Sequence, residues 1–402
     1  MKVKITPGKA SGVIQAPPSK SMAHRLLICA GLSEGVSLVE NIELSEDIKA
    51  TLGMLEQLGV MYTIDGRNIR ITGIGTKKVL KSVVLDSKES GSTLRFFIPI
   101  ALAKGMDATF TGAKRLLERP LSVYETICDE QGLIFEKAEE KLRVAGRLLP
   151  SHYSVPGNIS SQFITGLLFA LPMLEEDSVL EIVPPVESGP YIAMTLEALQ
   201  TFGIVIKQEG NMFYISGNQM YQSKDVSVEG DYSNAAFLDA FSMIGGKVEV
   251  TGLKEDSLQG DKIYRAYYEE LQKENPCIDL KECPDLGPIL MGLAGALHGA
   301  HFTGTKRLKM KESDRGEAMA EELRKFGIRV EVKENDIEVF PGELQVPTET
   351  LDSHKDHRIA MTMTTLCTIT GGIIEGAEAV KKSFPSYYGV IKSLGVEVTT
   401  EG

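Results

Sequence analysis

Six short polar loops in this 402-residue chain carry most of its reactive side chains. They read PPSKSMAHRLL, KESGSTLRFF, GNISSQFITGLL, GDYSNAAFLDAF, CPDLGPILMG and HKDHRIAMT, and each runs into an apolar, helix-like stretch. Ser21, Ser92, Ser161 and Ser233 lie 71, 69 and 72 residues apart, so the loops occupy equivalent places in successive units. Ser, Asn, Asp and Gly are what a helix start prefers. The open N–H groups there, with the positive end of the helix dipole, attract anions. One such loop would signal only a capped helix. Six equivalent ones, several bearing Lys, Arg or acid, point to a small, multiply anionic ligand.

The basic residues recur beside these loops. Lys20 and Arg25 lie in PSKSMAHR, Arg95 follows ESGST, and Arg119 sits in LERPLS. Lys309, Lys311 and Arg315 lie in RLKMKESDR, Arg358 in KDHR, and Lys381 and Lys382 precede SFPSYY. Taken singly, a Lys or Arg is usually a solvated surface charge. Gathered at Ser/Gly loops, they suit carboxylates and phosphates, Arg as a fork and Lys as a point charge. Among the acids there, Asp314 and Asp356 are expected to orient arginines. Glu312 and Asp285 are the candidates for acid–base work.

The elements that must position these loops form a repeat. A Gly followed by alternating apolar residues, a polar turn and a second alternating run recurs, led by Gly59, Gly132, Gly203, Gly327 and Gly395. The spacings are 73, 71, 124 and 68, and the 124 reads as a doubled interval. Five intervals over 336 residues average ~67, which is also 402/6, so six copies of one unit are expected. Period-two runs closed by DG, EG or EN turns are hairpins. Helical stretches such as Asp47 to Leu58 and Arg315 to Phe326 precede them. The unit is mixed α/β, with two helices and three or four strands. The fourth copy reads as trimmed around Gln272 to Leu280, where CIDLK stands in place of a hairpin.

Composition narrows the function further. A net charge of −12 argues against a general nucleic-acid or anionic-membrane binder. Five scattered cysteines without a CxxC pair make a disulfide framework improbable and favour a reducing cytoplasm. The N-terminus has no signal-like apolar core, and Phe163 to Leu174 is too short to span a bilayer. Gly73-Ile-Gly75 is no dinucleotide fingerprint, no GxxxxGK[ST] loop exists, and ESGST is no nucleophile elbow. His354 and His357 lack a convincing ligand set, so no cofactor and no metal are expected.

Taken together, PPSKSMAHR, NISSQF, LKMKESDR, DHR and KSFPSYY resemble the 5-enolpyruvylshikimate-3-phosphate synthase family, in order from residue 5 to beyond residue 390. The resemblance implies a two-domain, inside-out α/β barrel built of six βαβαββ repeats. One domain would cover 14–228 and the other 1–13 with 229–402. It implies transfer of the enolpyruvyl group of phosphoenolpyruvate to the 5-hydroxyl of shikimate 3-phosphate, releasing phosphate, in aromatic amino-acid biosynthesis. By position, Lys20, Ser21, Arg25, Ser160, Ser161, Gln162, Ser188, Tyr191, Asp285 and Lys311 would hold shikimate 3-phosphate. Lys20, Gly91, Arg119, Gln162, Arg315, Arg358 and Lys382 would hold phosphoenolpyruvate.

The reaction needs an acid for the methylene carbon and a base for the 5-hydroxyl. The resemblance assigns these to Glu312 and Asp285, with Lys20 a rival for the acid. The partners would be these two small molecules, with neither nucleic acid nor membrane, and a cytoplasmic monomer is expected. Crossings near 11–14 and 228–231 would join the two domains, which are expected to close on anionic ligands. Glu89, where better-known members carry Asn, is a departure that would be unfavourable near anions unless it points away or pairs with Arg95. The related enolpyruvyl transferase acting on UDP-N-acetylglucosamine is the nearest alternative, and a non-catalytic repeat scaffold is another.

Overall fold

The computed structural model describes residues 1–76 and 81–401. The chain forms two compact units, Lys20–Glu229 and Met1–Ser19 with Gly230–Gly402. Each has its own apolar core.

One local device repeats five times and explains the glycine period. Gly59, Gly132, Gly203, Gly327 and Gly395 all sit at positive φ, between 64° and 95°. Each ends a helix, its N–H reaching back three residues and the next N–H reaching back five, as in Val60 to Leu55 (3.0 Å) and Ile328 to Leu323 (3.0 Å). That doubly bonded helix end needs a left-handed residue, which only glycine adopts without steric cost. The residue after it turns inward: Val60, Ile204, Ile328 and Val396 are all buried. The strand that follows therefore starts with its apolar side already facing the core.

Among the described residues, five four-stranded sheets share one topology. In the clearest, Ser82–Asp86 runs parallel to Asp107–Thr111, and the helix Gly91–Ala103 makes the crossover. Lys141–Ala145 then pairs antiparallel with Asp107–Thr111, and Ile134–Lys137 pairs with the outer side of Lys141–Ala145. Segments distant along the chain complete two of the sheets. Val226–Ser227 returns to Val36–Glu40, and Lys2–Ile5 inserts between Gly372–Glu375 and Val398–Glu401. The repeat is thus mixed α/β, a parallel crossover followed by a hairpin.

The remaining copy has two strands, Ser11–Gln15 parallel to Lys247–Thr251. One expectation is corrected here. This is the fourth copy along the chain and it does lack a hairpin, but CIDLK does not stand in the hairpin's place, because Cys277–Asp279 runs parallel to Ala300–Thr303 and opens the next sheet. Its brevity hid its role: three residues carry too little alternation to show which neighbour they serve.

The crossover helices are apolar on nearly every face because each is surrounded by its unit's sheets and sister helices. Gly91–Ala103 and Ser161–Ala170 pack closely in one unit, and Gly287–Ala296 and His357–Thr370 in the other. Gly166 is required at the first contact, since a methyl there would run into the Tyr124 hydroxyl and the Arg95 carbonyl. With their sides buried, these helices can offer only their ends. The reactive loops are at those ends.

Candidate active site

In the unit Lys20–Glu229, helix starts gather cations. Ser90 caps Gly91–Ala103 by accepting from Thr93 N (3.2 Å), and Ser160 caps Ser161–Ala170 by accepting from Gln162 N (3.3 Å). Gln162 ties the two starts together: its Oε1 accepts from Arg95 Nη1 (2.8 Å) and its Nε2 donates to Ser92 Oγ (3.0 Å). A methyl on Gly91 would lie 2.9 Å from Arg119 Nη1 and 3.0 Å from Arg95 Nη1. Two guanidiniums therefore converge over one helix N-terminus, an arrangement that favours an anion. Burial, then the charge of Arg119, lowers Arg95 to about 10, which leaves it cationic at neutral pH.

The neighbouring helix starts with Lys20, whose Nζ pairs with Asp47 Oδ2 at 2.7 Å. Arg25, one turn further on, is buried. Its Nε donates to Thr195 Oγ1 (2.9 Å), Nη1 to the Ser21 carbonyl (2.6 Å) and Nη2 to the Tyr191 carbonyl (2.9 Å). Two of its five N–H groups thus brace this helix against Gly189–Thr201, while a third bonds back within its own helix. Ser188 stands just before that second helix in a left-handed conformation, φ 58°, without a side-chain cap bond. Glu89 is exposed while Ser90 and Gly91 beside it are buried, and Arg95 is engaged by Gln162 and the Pro120 carbonyl.

The other unit holds a second cluster, built on three helix starts. Asp285, just before Gly287–Ala296, meets Arg315 Nη1 at 2.8 Å, Lys311 Nζ at 3.1 Å and Arg358 Nη2 at 3.5 Å. Burial alone would raise its pKa. Lys311, Arg315 and Arg358 outweigh that and hold it well below the ordinary carboxylate range. Burial, opposed by Asp285, lowers Lys311 to about 8. Arg358 Nη1 donates to Asn234 Oδ1 (3.1 Å), which links in the start of Tyr232–Met243.

Asp356 is fully buried and serves twice. It caps His357–Thr370 through Arg358 N (2.9 Å), and it receives Arg315 through Nε (2.8 Å) and Nη2 (3.3 Å). It therefore orients Arg315, as the sequence suggested. Asp314 does not orient an arginine in this way; it caps its own helix, accepting from Glu317 N at 3.4 Å. Glu312 Oε2 lies 3.0 Å from His357 Nδ1 and 3.6 Å from Lys382 Nζ, while Lys382 also donates to the Lys355 carbonyl (2.6 Å).

Glu312, Asp356 and His357 bring ligand atoms within 4.8 Å of one another, a spacing compatible with a metal ion. Both carboxylates already face cations, Arg315 on Asp356 and Lys382 on Glu312, and a second positive charge would be repelled. The set reads as an ion-pair network.

The sequence-nominated residues therefore fall into two clusters, one per unit. Three partners escaped notice: Asp47 on Lys20, Asn234 on Arg358, and Asp261. Asp47 is an ordinary first-turn acid by pattern, and Asn234 lies in a nominated loop without a charge to mark it. Asp261 is buried and hydrogen-bonded to Ser233. Burial, then the charge of Asp285, raises it to about 7. No local pattern marks it.

A sequence model of EPSP synthase (3-phosphoshikimate 1-carboxyvinyltransferase) matches residues 5–391. The chain belongs to the EPSP synthase family. Among its relatives, the 3-phosphoshikimate 1-carboxyvinyltransferase of Clostridium kluyveri is 41% identical, over 98% of each chain. That of Clostridium novyi is 40% identical, over 98% of this chain and 97% of the relative. Two solved structures of EPSP synthase from Acinetobacter baumannii share the fold. One has TM-score 0.78 at 23% identity, covering 99% of this chain and all of the other. The second has TM-score 0.80 at 22% identity, covering both chains in full. Family membership matches the mixed α/β repeats, and helix starts stocked with cations suit the phosphate of a 3-phosphoshikimate.

Proposed function

We propose that this protein transfers the enolpyruvyl group of phosphoenolpyruvate to the 5-hydroxyl of shikimate 3-phosphate, releasing phosphate. The observation that carries the reading is the cluster around Asp285, where one carboxylate occupies three cations at a set of helix starts. An anionic substrate offers those cations a replacement. Lys311, Arg315 and Arg358 would turn toward the incoming carboxylate and phosphate, with Lys382 beside them. Asp285, relieved of the charges that depress it, becomes a stronger base and takes the 5-hydroxyl proton. Glu312, carrying a proton, delivers it to the methylene carbon as the 5-oxygen bonds to the adjacent carbon, with Lys20 the alternative donor; return of a methyl proton to that group as phosphate departs then restores the double bond.

In the unit Lys20–Glu229, Ser160, Ser161 and Gln162 at a capped helix start suit the 3-phosphate, with Lys20, Ser21, Arg25, Ser188 and Tyr191 around the sugar. Gly91 under Arg119 suits the phosphoenolpyruvate phosphate. Binding two multiply charged anions together demands fixed positive charge, and preorganised donors cost no reorganisation during reaction. The chemistry needs no covalent nucleophile, and the side chains supply the charges and protons that the scheme requires.

We place the protein in the cytoplasm as a monomer. Among the described residues all five cysteines are free and four are buried, as suits a reducing compartment, and no helix is long and apolar enough to cross a membrane. Phosphate release from purified protein tests the activity. Release that requires both substrates, and fails with UDP-N-acetylglucosamine in place of shikimate 3-phosphate, is expected. No release from folded protein with both substrates would overturn the reading.

A further inference from the structure

The loop that delivers Asp356 is held in an unfavourable shape. His354 and Lys355 are consecutive non-glycine residues at φ 50° and 55°, a region L side chains avoid. Such conformations persist only where their surroundings over-determine them. Here the surroundings centre on Glu322, a fully buried carboxylate on the helix Arg315–Lys325. Its Oε1 lies 2.9 Å from His354 Nε2, and its Oε2 accepts from Asp352 N (3.0 Å). Lys325 Nζ donates to both oxygens, at 2.9 and 3.1 Å, and to the Thr350 carbonyl at 3.1 Å. Asp352 Oδ1 in turn accepts from His354 N (2.7 Å).

What this loop presents belongs to the candidate site. The Lys355 carbonyl, whose direction its left-handed backbone sets, accepts from Lys382 Nζ. Asp356 receives Arg315. Arg315 and Glu322 are seven residues apart, two turns along one helix face, so a single helix grips the loop at two points.

We propose that Glu322 and His354 are positioning residues: their buried contact fixes residues 352–356, and through them places Lys382 and Arg315 for phosphoenolpyruvate. The inference rests on the reading of those two cations given above. Neither Glu322 nor His354 touches substrate. Their work is to keep a strained loop from relaxing and carrying the Lys355 carbonyl and the Asp356 carboxylate away.

Histidine variants of the full chain separate this role from general packing. Asn tolerates the left-handed backbone but is too short to reach Glu322, whereas Gln extends an N–H to about the place of Nε2. With the other substrate saturating, His354→Asn and His354→Ala should raise KM for phosphoenolpyruvate about tenfold, as sub-ångström displacement of binding groups does. KM for shikimate 3-phosphate should stay within about twofold, and His354→Gln within about threefold of wild type for both. An unchanged phosphoenolpyruvate KM in His354→Asn would overturn the proposal. So would equal rises in both KM values, or a Gln variant as impaired as the Ala one. If His354→Ala does not fold, the Asn and Gln pair decides. If wild type releases no phosphate, the activity assignment has failed separately. Hydrogen exchange across 352–358 then decides the clamp, which stands if His354→Asn exchanges faster than His354→Gln and falls if they match.

Discussion

Replacing Asp356 by Asn removes a charge but keeps its shape. In wild type both carboxylate oxygens are used: Oδ2 by Arg315 Nε and Ser313 Oγ (3.1 Å), Oδ1 by Arg315 Nη2 and Arg358 N. Asp356 is 0% exposed and Arg315 2%, so neither can turn to water. Asn can still cap Arg358 N, but its NH₂ faces Arg315, donor against donor. Removing one partner of a buried pair costs roughly 3–5 kcal/mol. Because Asp285 still holds Arg315 Nη1, the low end applies, and about 3 kcal/mol is expected for Asp356→Asn. Asp356→Ala also loses the helix cap, adding about 1 kcal/mol.

Urea melts followed by far-UV circular dichroism measure both variants. Hydrogen exchange should place the loss in the unit containing Gly230–Gly402. Burial works to raise the pKa of Asp356, but Arg315 prevails and holds it below the ordinary value. A carboxylate depressed in the folded state contributes stability above its unfolded pKa, near 3.9, and loses it as pH falls through the folded value. Wild type should therefore lose stability in acid more steeply than Asp356→Asn. The reasoning fails if Asp356→Asn costs under about 1 kcal/mol, or if Ala is no worse than Asn.

Two further outcomes follow from the same geometry. Gly91→Ala puts a methyl against two guanidinium tips, which can move. Stability should fall by less than about 1 kcal/mol while KM for phosphoenolpyruvate rises about tenfold, and steady-state kinetics with an unchanged KM would refute the cradle. Lys311, lowered by burial to about 8, binds its proton less readily folded than unfolded, where its pKa is about 10.4. Stability should then climb between those pH values. Lys311→Met should abolish the climb, and identical pH–stability curves would show that Lys311 is not its source.

Much of this protein is legible along the chain, because its informative patterns are local. The glycine period reflects a helix end closed by backbone bonds that reach back three and five residues, and the Ser and Asp caps act within three residues. Cations adjacent to such caps could be nominated for the same reason. Contacts between segments distant in sequence could not. Whether Arg25 binds a ligand or braces a helix depends on Thr195 and Tyr191, some 170 residues away. Asp47, Asn234 and Asp261 look ordinary until folding sets them beside Lys20, Arg358 and Ser233. CIDLK reads as part of the wrong copy, because its three-residue strand acquires a place only from the strand it pairs with. Strain at His354 and Lys355 is likewise invisible in their types, since it exists only where Glu322 imposes it. Local chemistry depends on spacing along the chain. Which charge faces which is decided by packing, and packing also decides how strongly burial shifts each group.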